Sequence, residues 1–148
     1  MTFNRAYALD AATGLIKRAP GQAALTSDGY VGTQHDQQAA TASDMVLVLN
    51  VESIVTNGAT GETYKFYIIG SNVADRSDGE VLGYFALGKA SQLTGSQETR
   101  DTVAGDRIVA PFRTEKNRTR YRYVDVYLDV AGTAPSIAFN ANLSKEIC

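Results

Sequence analysis

The sequence predicts an all-β protein, an antiparallel β-sandwich of jelly-roll type with an extended polar N-terminal arm. Three observations lead there. From Met45 onward, apolar and polar residues alternate with period two in segment after segment. Turn signals rich in Gly, Asn, Asp and Pro separate those segments. No stretch sustains the apolar period of a long helix. Six or seven such strands bury their apolar faces best as two packed sheets.

Residues 1–44 are rich in Ala, Gly, Thr, Gln and Asp and poor in large apolar side chains. They are expected to form the arm, packing on the domain or on a partner, while residues 45–148 form the sandwich. Ala and Leu recur over residues 7–16, enough for a short helix that Gly14 and Pro20 limit. The polar stretch GTQHDQQAATASD has no periodicity and reads as a loop or extended chain. In MVLVLNVESIV, Leu47, Leu49, Val51 and Val55 share one face, with Asn50 and Glu52 on the other. A turn follows, its Asn57-Gly58 pair suited to positive φ. In ETYKFYIIG, Tyr64, Phe66 and Ile68 face one way and Lys65 the other. Residues 45–55 and 62–70 are therefore expected to pair as a β-hairpin.

Beyond the polar loop SNVADRSDGE lies a short apolar strand, VLGYFALG, and a second polar loop then leads to RIVAPF. Ile108, Ala110 and Phe112 alternate there with Val109 and Pro111, and Pro111, lacking an amide donor, either places this strand at a sheet edge or ends it there. The segment RTEKNRTRYRYVDVYLDV turns Val124, Val126, Leu128 and Val130 inward. Tyr121, Tyr123, Asp125, Tyr127 and Asp129 then face outward. AGTAP joins it to SIAFNANLS, where Ile137, Phe139, Ala141 and Leu143 alternate with polar residues, so the chain is expected to close with a C-terminal hairpin.

Composition narrows the function classes. The formal net charge of −2 gives no overall field that draws the chain to nucleic acid. Tyr outnumbers Phe by 8 to 5 and Trp is absent, a bias toward surfaces where rings meet water or a partner. The single cysteine, Cys148, allows no internal disulfide, so the fold is expected not to need an oxidising compartment. With no apolar run of signal-peptide or membrane-span length, the protein is expected to be made in the cytoplasm, and its two N-x-S/T sequons to carry no meaning. Catalytic and metal constellations are scarce. The only histidine, His35, lies in the polar N-terminal segment and reads as a satisfied or solvated loop residue. Asn72, Asp75, Asp78 and Glu80 offer oxygen donors for calcium, but their spacing departs from the EF-hand and Arg76 adds a competing charge. No enzyme, cofactor or metal is expected.

The candidate site is the run containing Arg113, Arg118, Arg120, Tyr121, Arg122, Tyr123 and Tyr127. Basic residues interleaved with aromatics suit single-stranded nucleic acid, but Glu115, Asp125 and Asp129 dilute this patch. A solvated turn and a protein interface are the other readings, the latter because arginines pair bidentately with carboxylates. The tyrosine stripe has two readings as well. It covers neighbouring strands of its own chain, or it meets another subunit.

The stretches YKFYIIGSNVADRSDGEVLG, AGDRIVAPFRTEKNRTRYRYVDVYLDVAGTAPSIAFNANLS and DGYVGTQHDQQAATASDMVLVLNVESI resemble the jelly-roll cement, or capsid decoration, proteins of tailed bacteriophages. The shared pattern is a strand ending in Gly-Ser-Asn, a Gly-Asp before an apolar strand, an Arg/Tyr strand and a closing hairpin. The resemblance implies a non-enzymatic virion protein on the outer capsid surface. It implies bridging of the major capsid protein's subunits, as homotrimers at threefold or quasi-threefold positions. Two rival expectations are a carbohydrate-binding sandwich and a tail or head–tail component of a virion.

Overall fold

The computed structural model describes residues 6–7, 15–57, 61–93 and 100–147. Among these residues eleven strands run in chain order: β1 (Ala6–Tyr7), β2 (Ile16–Arg18), β3 (Gly29–Tyr30), β4 (His35–Thr41), β5 (Asp44–Ile54), β6 (Thr63–Ser71), β7 (Glu80–Gly88), β8 (Arg107–Arg113), β9 (Glu115–Lys116), β10 (Thr119–Ala131) and β11 (Ile137–Ile147). They form two antiparallel sheets. The first has the order β1-β11-β5-β8, with β2 also on β11. The second has the order β3-β10-β6-β7, with β4 and β9 also on β10. The chain is an all-β sandwich.

Alternation correctly identifies the inward faces. Leu47, Leu49, Phe139 and Leu143 of the first sheet are fully buried, as are Tyr64, Phe66, Ile68, Val124, Val126 and Leu128 of the second. Phe66 bridges the layers: its ring stacks on Phe85 at 5.0 Å and meets Phe139 edge-on at 5.2 Å. Burying such side chains contributes about 1.5–3 kcal/mol each. The Tyr64 hydroxyl, deep in the same core, donates toward Val55 O and accepts from Ser136 N, tying two strand ends together. β8 is the edge strand that Pro111 foretells, and Val109 beside it is 57% exposed.

The pairings depart from expectation. Residues 45–55 and 62–70 do not form a hairpin: β5 is flanked by β8 and β11, while β6 lies in the other sheet between β10 and β7. The expected C-terminal hairpin fails for the same reason, since β10 and β11 also belong to different sheets. A strand has two edges, and here both edges of β5, and of β10 from Tyr123 onward, are taken by strands distant in sequence. Alternation specifies the buried face, not the neighbour.

The N-terminal region contributes sheet edges. β2 adds to β11, and the chain then crosses to the second sheet, where β3 and β4 add to successive stretches of β10. The polar stretch expected as a loop is therefore largely strand β4, and His35 within it is buried rather than solvated. The helix expected over residues 7–16 begins and ends in strand, its middle lying outside the described residues, as do Gly58 of the predicted turn and Cys148. Gly32 makes the crossing possible. It sits at φ +72°, and a Cβ there would lie 2.2 Å from Lys17 O, so only glycine fits.

Candidate interaction surface

The Arg/Tyr run becomes three separate places. At its start, β9 and β10 are joined by a two-residue turn whose Asn117 and Arg118 both have positive φ, 51° and 68°. This exposed tip is basic. Arg113 lies 3.5 Å from Asp44 Oδ1 and 3.8 Å from Glu115 Oε1, Arg120 lies 3.3 Å from Glu115 Oε2, and Lys116 lies 3.5 Å from Glu80 Oε2. Arg118 is exposed and has no hydrogen bond or ion pair among the described residues.

The second place is Arg122 with Tyr123. The guanidinium binds Asp36 bidentately, 2.8 Å to Oδ1 and 2.9 Å to Oδ2, and lies 5.0 Å from the Tyr123 ring centre. Those hydrogen bonds hold the Asp36 carboxyl down at about 2. Tyr121 behaves differently. The β4–β10 register shifts between Tyr121 and Tyr123, and Tyr121 is 4% exposed. Its ring lies where a Cβ on Gly70, an inward-facing position, would be 2.9 Å away. The expectation that Tyr121 faces outward is therefore corrected: the register shift breaks the alternation and the ring joins the core edge. Burial correspondingly raises its hydroxyl above the usual tyrosine value.

The third place is the outer face around Tyr127. Asp125 points outward by alternation yet is 2% exposed, because neighbouring chain covers it. Arg76, from the β6–β7 loop, binds it through Nε at 3.0 Å and Nη2 at 3.2 Å, and Gln34 Nε2 donates at 2.9 Å. Arg76 also lies 4.0 Å over Tyr30, and its pairing with Asp125 raises its already high pKa. Behind this cluster Lys17 donates to Thr33 O at 2.6 Å and Val124 O at 3.2 Å, filling the gap between β3 and β4. Burial lowers the Lys17 ammonium to about 8, opposed by the nearby Asp125 charge.

Register then assembles something the sequence does not announce. Tyr30, Tyr127, Tyr67 and Tyr84 are successive cross-strand partners on β3, β10, β6 and β7. With strands about 4.8 Å apart they make a row of about 14 Å across the whole outer face. The rings associate in two pairs: Tyr30 meets Tyr127 at 5.0 Å edge-on, and Tyr67 meets Tyr84 at 5.2 Å, tilted by 43°. Tyr30 and Tyr84 are 43% and 53% exposed. The outward position of Tyr67, beside Lys65, was readable from alternation; its alignment with the other three was not.

Asp75 and Asp78 of the β6–β7 loop, weighed as calcium donors, accept hydrogen bonds from backbone amides, Asp75 from Ser77 and Asp78 from Asn72. Among the described residues no group of three or more His, Cys, Asp or Glu side chains is placed to hold a metal ion. The arrangement offers surface chemistry: one unpaired arginine on a tight turn and a partly exposed aromatic face. No protein-family model matches the chain, and no curated protein matches its sequence.

Proposed function

We propose that this chain is a structural virion protein, a decoration or cement protein that binds the outer surface of a tailed-phage capsid and bridges major capsid subunits. The reading starts from the resemblance of residues 28–144 to jelly-roll cement proteins. The observation that carries it furthest is the β9–β10 tip. The two-residue turn, with positive φ at both positions, presents Arg118 free for a carboxylate on a partner, while Arg113 and Arg120 in the flanking strands share Glu115 beside it. Pre-set geometry lowers the ordering cost of docking.

Binding to the mature shell alone stabilises that state by mass action, on the order of 3–4 kcal/mol per site at concentrations of several hundred to a thousand times Kd. Particles assembled without this protein are expected to release their genome at lower temperature, and adding it back restores the wild-type release temperature. Arg118→Glu leaves the fold intact and weakens particle binding at least about tenfold. Depleted particles as stable as complete ones would remove the reinforcing role.

The tyrosine row supports a second reading, a carbohydrate-binding face. Ring stacking on sugars needs open ring faces, whereas Tyr30 carries Arg76 over its face and meets Tyr127 edge-on. Glycan-array binding that disappears in Tyr84→Ser would favour this reading over the capsid one.

A further inference from the structure

We propose that the tyrosine face joins two copies of this chain about a two-fold axis that runs along the strands between β10 and β6. This inference does not depend on the capsid reading. An isologous contact needs a surface that complements itself when one half is laid on the other. The outer face of the second sheet has that property about the β10–β6 boundary, in shape and in charge.

The tyrosines lie two on each side of the boundary, Tyr30 with Tyr127 and Tyr67 with Tyr84. Rotation about the axis lays each pair on the other pair of the second copy. In the next row, Asp129 of β10 and Lys65 of β6 are register partners on this face. Both are half-buried, and neither has an ion pair or hydrogen bond among the described residues. Other cations of this sheet have found carboxylates, Arg76 with Asp125 and Arg122 with Asp36 among them. The same rotation sets Asp129 against the second copy's Lys65, and Lys65 against the second copy's Asp129. Two charge pairs then close over the aromatic row.

Relief agrees with this arrangement. The β6–β7 loop leans over β10, held there by Arg76 on Asp125 and by Asn72 on Arg120 O and Arg122 N. The β7 side of the same end exposes Val81 at 41%. The axis brings the loop-covered half of one copy against the half of the other that exposes Val81. Two loop-covered halves, or one charge sign on both, would not complement each other.

Sedimentation of the whole chain over a wide concentration range tests this. The weight-average mass is expected to rise from 15.9 kDa toward twice that value, with the association weakening as salt is added. Lys65→Glu alone and Asp129→Lys alone each weaken association at least about tenfold, and the exchanged double variant, Lys65→Asp with Asp129→Lys, recovers most of it. Tyr84→Ser, at a position too exposed to unfold the domain, weakens it as well. Four results overturn the proposal: a chain that stays monomeric at about 0.5 mM, a mass converging on a trimer, a dimer indifferent to both single charge changes, or a double variant no better than the singles.

Discussion

Lys17 shows how closely single residues are held. It is buried against carbonyls of two segments, and its folded-state pKa of about 8 lies below the ordinary 10.5. The unfolded chain therefore binds more protons between those values, and this residue's destabilising effect is full below pH 8 and relieved as pH rises. Urea unfolding is expected to show a gain of roughly 1–2 kcal/mol from pH 7.5 to 9.5. Lys17→Met should flatten that slope. Above pH 10 the raised pKa values of Tyr64 and Tyr121 act in the opposite sense, so the window closes there. Asp36 has the mirror behaviour. Its pKa is depressed to about 2 by Arg122, so its contribution is complete above 3.8 and lost as pH falls through 2. Asp36→Asn should shallow the acid limb of a pH–stability curve. Gly32→Ala combines an unfavourable φ with backbone overlap at Lys17 O, and is expected to cost more than about 2 kcal/mol in thermal unfolding.

At the scale of elements, β10 organises the second sheet, with β6 along one edge and β3, β4 and β9 sharing the other. Its tyrosines divide by environment. Tyr121→Ser removes a buried ring and is expected to destabilise the fold by about 3 kcal/mol, whereas Tyr84→Ser on β7 changes stability by less than about 1 kcal/mol. Comparing denaturation midpoints of the two variants checks that division. The difference marks where sequence reading stops. Val124, Val126 and Leu128 were readable as core because a strand's side chains alternate without regard to its neighbours. Tyr121 was not, because the register shift beside Tyr123 depends on β4, over eighty residues earlier in the chain. Nor could the polar composition of β4 reveal a strand, since an edge strand on an exposed flank needs little apolar surface of its own.

Across the whole molecule, the Arg118 tip and the tyrosine face are the two surfaces that carry the proposed contacts. They lie at different places, so a variant of one leaves the other to report that the fold is intact. Arg118→Glu is expected to lose particle binding while keeping concentration-dependent self-association, and Tyr84→Ser the reverse. Sedimentation and particle co-pelleting on the same two proteins separate the functions. What the sequence alone determined is the class of fold and the inward faces of its long strands, because period-two alternation is local. Only the tertiary structure decided which strands pair, that Tyr121 and Asp125 are covered, and that four tyrosines from four strands fall into one row. Those outcomes depend on register between segments far apart in the chain, and register is set by how both sheets close over a shared core.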